Sequence, residues 1–422
     1  MQAPWHRAIR VFRNARPTAI LRLCSRQRVT TVPFGGTSRS VRPSCDSIEP
    51  SFSMNASADK TRNAKALCDA VRAHLASRGE TGVDLHPMPD TGLAHDHIWI
   101  RRRHGPDWVA RLPKQSQMQL GVEDNLDFQA HCYRRTSESG HTPTLHGRLP
   151  IDATLPRGGL LVTAIHGRPA RLPEDLPAIA EALAAIHRLP LPAAATRPPL
   201  ASAASPWQAM REEVMAQAHH LDTLPSTLLD HEARRHIDAA LASLDGNDAA
   251  AAGIDTRRCL ISFDAHPGNF LITPEGKAVL VDLEKCRYSH PGFDLAHASL
   301  YTSTTWDPAS HAVLEPDTVI QFYRQWQAQI GANNPLADEV ALLATRRAMW
   351  LWSITWCAKW WQLHRRERDA LARGEDWSTA LSDPQLIAHV ADRVAHYLST
   401  PSMARVSDEF RHLQRHFVAG AE

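Results

Sequence analysis

Residues 62–78 read RNAKALCDAVRAHLASR, with Leu67, Val71 and Leu75 on one helical stripe. Short runs of strand character follow at 97–103 (HIWIRRR), 107–113 (DWVARLP) and 159–165 (GLLVTAI), the first two joined by HGPD, a hairpin turn. A helical pattern, DNLDFQAHCYRR (124–135), separates the second run from the third. One helix among strands predicts a small α+β lobe over this part of the chain. A further helix is predicted at 174–189, then a Pro/Ala-rich loop at 191–205 and helices at 206–222 and 229–245. Apolar strands return at 258–262, 269–273 and 278–282, with PEGK as the turn between the last two. From 293 to 418 nearly every signal is helical. The longest apolar run, Ala348–Trp361, is fourteen residues with Lys359 inside it, a buried helix rather than a membrane span.

Composition changes this picture mainly at the N-terminus. The chain has 422 residues and a net charge of +2. Nine arginines against Asp46 and Glu49 put residues 1–53 at +7, which leaves the rest at −5. The Arg- and Ser-rich extension resembles an organellar transit peptide, or else the start codon is called too early and the protein begins at Met54. In either case residues 1–53 are expected outside the folded core. The body, being mildly acidic, is not built to bind nucleic acid. Seven cysteines without a CxxC pair point to a reduced, cytoplasmic protein without disulfides. His231 and His236 lie five apart in HEARRH, on different helix faces, and so do not form a metal pair.

The stretch ISFDAHPGN (261–269), followed by a strand ending at Asp282, carries the candidate chemistry. Pro267 and Gly268 force an irregular loop that lets Asp264 and Asn269 converge, and the next hairpin brings in Asp282. An amide oxygen with a carboxylate suits Mg²⁺, which keeps water and phosphate oxygens as its remaining ligands. A second carboxylate off the metal can orient a hydroxyl and take its proton, which is the logic of phosphoryl transfer.

The pattern D-x-H-P-G-N (Asp264 to Asn269), D-x-E (Asp282, Glu284) and P-G-x-D-L-A (Pro291 to Ala296) resembles the aminoglycoside phosphotransferase and choline kinase-like family. The resemblance extends over residues 83–370. It implies a protein-kinase-like α+β fold of two lobes: 54–165 for the nucleotide, and a larger, mainly helical 166–422 for the catalytic loop, metal and acceptor. It implies ATP and Mg²⁺ as cofactors, Asp264 as base, and Asn269 and Asp282 as metal ligands. Asp294 would hold the catalytic loop from a helix N-terminus. LLVTAIHGRP (160–169) resembles the hinge, where the backbone of Thr163 to Ile165 would meet adenine. Arg111 stands where the family's phosphate-binding Lys would be, with Lys114 as a rival.

There are departures. Ser262 replaces the His two residues before the base, and Gln129 fills the slot of the helix Glu, so an Arg111–Gln129 hydrogen bond would replace an ion pair. The only Gly-containing turn in place of a Gly-rich loop is PDTGLAHDH (89–97). Lys285 reads as a solvated charge. His266 reads as a loop-packing residue, and Glu284 as either a functional or a surface acid. Trp352, Trp356 and Trp360 form one helical stripe, either core or a wall of the acceptor pocket, and Tyr301, Thr305 and Trp306 are similar candidates. The expected activity is transfer of the γ-phosphate of Mg-ATP to a hydroxyl of a small acceptor, by a monomer or homodimer that needs no membrane. A regulatory pseudokinase would explain the absent helix Glu. A hydrolase with paired carboxylates leaves Asn269 unexplained.

Overall fold

A computed structural model of the chain describes residues 53–89, 94–118, 120–245, 253–331, 333–364 and 383–419. The expectations for residues 1–52 and for the turn around Gly92 lie outside these residues. The chain divides into residues 1–55 and 56–422, and the second unit carries the candidate chemistry.

Helix α1 (Ser53–Ala76) precedes an antiparallel sheet of β1 (Asp84–Pro87), β2 (His95–Arg101), β3 (Trp108–Pro113), β5 (Gly159–Thr163) and β4 (Leu145–Leu149), in that spatial order. Helix α2 (Val122–Thr136) lies between β3 and β4 in the chain. The period of two in the strands decides which face each side chain takes. Ile98, Ile100, Ala110, Leu112 and Leu161 pack with Val71 and Leu75 of α1. Leu160 and Val162 join Leu126 and Phe128 of α2 in a second cluster. The alternate positions of β2 and β3, His95, His97 and Arg111, therefore share the face away from α1, and His97 pairs directly with Arg111. Asp107 fixes the β2–β3 turn, accepting from Trp99 Nε1 at 3.0 Å and from Arg102 N at 3.1 Å.

The chain leaves this sheet at Thr163 and joins another through β6 (Arg168–Pro169), which pairs with β8 (Phe270–Ile272), itself paired with β9 (Ala278–Leu280). A Cβ on Gly167 would stand 2.8 Å from the Ile272 carbonyl, so only glycine lets the connection lie this close to β8. The remaining strands, β7 (Cys259–Ile261) and β10 (Arg287–Ser289), pair with each other.

The rest is helical, as the pattern predicted: α3 (Leu176–His187), α4 (Pro206–Ala218), α5 (His231–Asp245), α6 (Gly292–Ser299), α7 (Tyr301–Thr304), α8 (Pro316–Ile330), α9 (Glu339–Leu363), α10 (Pro384–Tyr397) and α11 (Thr400–Ala419). Ser205, Asp338 and Asp383 cap α4, α9 and α10 by accepting from main-chain N–H groups in the first turn, the usual reason such residues start helices. Helix α9 contains the long apolar run and packs against α4, α6 and α11. Among the described residues no helix is long and apolar enough to cross a membrane. The architecture is the expected one, a small α+β sheet lobe followed by a larger helical one. The sequence pattern missed β1, β4, β6 and β10, each of five residues or fewer.

Candidate active site

The loop from Ser262 to Asn269 connects β7 to β8, and a buried carboxylate on α6 holds its start. Asp294 accepts from Ser262 N and Phe263 N at 2.8 Å each, and from Ser262 Oγ at 3.3 Å. Trp326 Nε1, which can only donate, gives its proton to His187 Nδ1 at 3.0 Å. His187 is therefore protonated on Nε2 and donates to Asp294 at 3.2 Å. Asp294 thus orients the loop through the backbone. Ser262, standing where the family pattern has His, also accepts from Asp264 N at 3.2 Å.

Phe263 has φ of 58°, a left-handed conformation that is costly for a non-glycine residue. Its ring is held by the Arg287 guanidinium 3.7 Å above it and by Trp352 edge-on at 5.2 Å. This turn directs the next residue, Asp264, into its site.

Asp264 is 8% exposed. Its Oδ2 is 2.8 Å from Lys285 Nζ, and His297 Nδ1 is 3.9 Å from Oδ1. Lys285 is thus not a solvated charge. The β7–β10 pairing brings the residues before β10 back beside the loop, and the ammonium is buried against the candidate base. Burial alone would raise the Asp264 carboxyl, but Lys285, His266 and His297 outweigh it and hold it below the ordinary carboxylate range. Burial pushes His297 down to about 4, so it stands neutral beside Asp264.

Asn269 donates through Nδ2 to the Asp264 carbonyl at 2.8 Å, which leaves Oδ1 as its atom for a cation. Its own carbonyl accepts from Val281 N at 2.9 Å, which sets Asp282 one residue further along the same hairpin. The structure therefore brings Asp264, Asn269 and Asp282 together. A carboxylate and an amide oxygen form a hard donor set that fits Mg²⁺. Among the described residues no three His, Cys, Asp or Glu side chains gather as a metal site, so such an ion would take its other ligands from water and phosphate.

Arg111 reaches Asp282 from β3, with Nη2 2.8 Å from Oδ1 and Nη1 donating to the Val281 carbonyl at 3.3 Å. Burial disfavours an ionised Asp282, but the guanidinium outweighs it and holds the carboxyl far below its ordinary value. Glu284 behaves oppositely. It is buried, its Oε1 has no hydrogen-bond partner, and burial together with the Asp282 charge pushes it up to about 8. The expected Arg111–Gln129 hydrogen bond is absent, because Gln129 on α2 bonds His95 instead, at 3.0 Å. His95 stands between the two because β2 carries it on the same face as Arg111.

Lys114 lies just past β3, and its charge helps to lower both His95 and His97. At the connection, Thr163 N donates to Thr144 O and Ala164 N to Asp107 O, each at 2.9 Å, so these donors are already committed. Ile165 is half-buried between β5 and β6.

The tryptophan stripe divides. Trp360 is core, stacked on His364 at 4.0 Å. Trp352 faces the catalytic loop and donates to Glu213 at 3.1 Å. Trp356 meets the half-buried Trp306 edge-on at 5.7 Å. Nothing local in the chain signals the contacts of Lys285 or His95, since both depend on pairings between distant strands.

Residues 88–326 match the model of the phosphotransferase enzyme family. Among solved structures, the chain resembles a thermostable mutant of aminoglycoside phosphotransferase APH(4)-Ia in complex with AMP-PNP and hygromycin B. The TM-score is 0.50 at 15% identity, covering 80% of this chain and 97% of that one. It also resembles choline kinase from Cryptosporidium parvum, with TM-score 0.49 at 12% identity, covering 82% and 96%. No curated protein matches. The family match spans more than half of the chain and coincides with the loop and hairpin described above, so the protein belongs to the phosphotransferase enzyme family, with a protein-kinase-like fold.

Proposed function

We propose that the protein transfers the γ-phosphate of Mg-ATP to a hydroxyl of a small-molecule acceptor. The observation that carries this reading is the convergence of Asp264, Asn269 and Asp282 through one loop and one hairpin, with Arg111 beside them. Residues 54–165 supply the nucleotide side, and residues 166–422 the catalytic loop and acceptor side. Arg111 contacts phosphate, with Lys114 just past β3 as its rival for that place. Thr163 and Ile165 border adenine through the groups not committed within the protein. Asn269 Oδ1 and Asp282 would hold Mg²⁺, which would supply neutralisation of the phosphate charge.

Asp264 receives the acceptor hydroxyl on the oxygen not taken by Lys285, aligns it with the γ-phosphorus and accepts its proton as the new P–O bond forms and the bond from the γ-phosphorus to the bridging oxygen breaks, with ADP leaving on that oxygen. Because its carboxyl is held low, it acts chiefly as an orienter, which suits a loose transition state with late proton transfer. Burial of the base excludes bulk water and favours the acceptor over hydrolysis. The half-buried Trp306 and Trp356 form an aromatic wall for the acceptor, and small ligands such as the hygromycin B of the APH(4)-Ia complex suggest its size class. The protein acts in the cytoplasm as a monomer or homodimer.

Titration calorimetry of the full chain with ATP, with and without Mg²⁺, tests this reading alongside Asp282→Ala. Mg²⁺-dependent binding lost in the variant supports it, and no binding by the folded wild type overturns it. The Arg111–Asp282 pair favours one second reading, a nucleotide-binding pseudokinase in which Arg111 keeps the metal ligand occupied. That protein would bind ATP and release no ADP with any acceptor.

A further inference from the structure

In this chain the side chain that should anchor Arg111 from helix α2 does not reach it. Gln129 and Arg111 are both buried, and His95 lies between them. His95 Nε2 is 3.0 Å from Gln129 Oε1, and Nδ1 is 3.4 Å from Arg111 Nη2. A guanidinium has donors only, so Nδ1 must accept. The ring proton then sits on Nε2, and Gln129 must present its carbonyl oxygen. One assignment satisfies all three groups.

We propose that His95 is a positioning residue for the nucleotide phosphates, a neutral relay that carries the position of helix α2 through Gln129 to Arg111. This rests on the reading of Arg111 as a phosphate contact and deepens it. The relay is neutral for a physical reason. Burial and the charges of Arg111 and Lys114 oppose protonation of His95 and outweigh Asp282 and the Gln129 hydrogen bond, which favour it, and Glu284 Oε2 stands 3.6 Å from Nδ1. His97, on the neighbouring inward position of β2, is itself held neutral by burial and Arg111. Among the described residues, the ionic partner within bonding distance of Arg111 is then Asp282. When Asp282 turns to a cation, the guanidinium is released towards phosphate while the relay keeps its base in place.

The relay makes a prediction opposite to that of direct contact. If residue 129 touched Arg111, Gln129→Glu would create an ion pair and hold the guanidinium better. Through His95, a carboxylate at 129 draws a second proton on to the ring, turns Nδ1 into a donor and sets a cation against Arg111.

The test is calorimetry of the full chain with Mg-ATP and, separately, with adenosine. His95→Phe is expected to weaken Mg-ATP about tenfold and leave adenosine unchanged, whereas a general loss of structure would weaken both. His95→Gln, whose amide can donate and accept, should recover most of the affinity. Gln129→Glu should weaken Mg-ATP. Unchanged Mg-ATP affinity in His95→Phe, or tighter binding in Gln129→Glu, overturns the proposal. A wild type that binds neither ligand overturns the nucleotide-site reading instead. The relay is then decided by ¹⁵N NMR of the His95 ring without ligand, where a proton on Nδ1 overturns it and one on Nε2 alone supports it.

Discussion

The Lys285 ammonium lies 2.8 Å from Asp264 Oδ2, with both side chains almost wholly buried. A cation this close fixes the carboxylate in one rotamer and favours its ionised form against the burial that opposes it. Lys285→Met should therefore cut turnover about 10- to 100-fold with little change in ATP affinity. The sign of its pH effect follows. Asp264 is held low in the folded wild type, and removing Lys285 lets burial raise it. The acid limb of the rate profile should move to higher pH. Stability from the depressed Asp264, present above its unfolded value and lost as pH falls through the folded one, should shrink in the variant. Rate profiles and melting curves from pH 4 to 8 check both.

Asp264→Asn should reduce ADP formation by about 10²- to 10⁴-fold, the range for loss of a general base, while Mg-ATP affinity and melting temperature stay near wild type. The amide keeps the shape but cannot take the proton. Acceptor-dependent ADP release, measured beside calorimetry, separates the two effects.

Asp294 is a stability residue by geometry. Asp294→Ala would leave Ser262 N, Phe263 N and the His187 ring without their acceptor in a fully buried place, at a cost of about 3–5 kcal/mol. The expected result is a lowered urea midpoint and lost activity, because Phe263 loses the clamp that holds its left-handed turn. A midpoint within error of wild type would show that the clamp does not hold the loop.

Gly268 faces Asp307 so closely that an added Cβ would stand 2.6 Å from its Oδ2. Gly268→Ala must push the catalytic loop or the Asp307 segment aside. Since Asn269 follows directly, the expected effect is a weaker Mg²⁺ dependence of ATP binding, with a stability loss of about 1–3 kcal/mol. Calorimetry across Mg²⁺ concentrations reads it.

The two halves of the tryptophan stripe should respond differently. Trp360→Ala opens a cavity in the core and should cost about 3–5 kcal/mol. Trp306→Ala, at a half-buried position, should leave stability within about 1 kcal/mol and raise the acceptor KM once an acceptor is found. A Trp306 variant with unchanged KM would remove it from the acceptor wall.

The sequence by itself determined the helices from 174 onward, the strands around the catalytic loop, and the placing of Asp264, Asn269 and Asp282 on one loop and one hairpin. These are local signals, because a Pro-Gly loop, a tight hairpin and helical periodicity are written in neighbouring residues. It did not determine what those residues touch. Strands β1 (DLHP), β4 (LHGRL), β6 (RP) and β10 (RYS) were illegible because they lack the apolar runs that mark β7, β8 and β9 at similar length, and their pairing comes from the sheet. Lys285 looked like a surface charge because nothing local says that β10 returns it to Asp264. Gln129 looked like the partner of Arg111 because spacing along the chain cannot show His95 arriving from β2 to stand between them. Ser262 stood only as a departure from the family pattern, because its replacement of His becomes intelligible beside Asp294. Chemistry type follows from residue type and local geometry, whereas charge pairing follows from which distant strands lie side by side, and only the tertiary structure decides that.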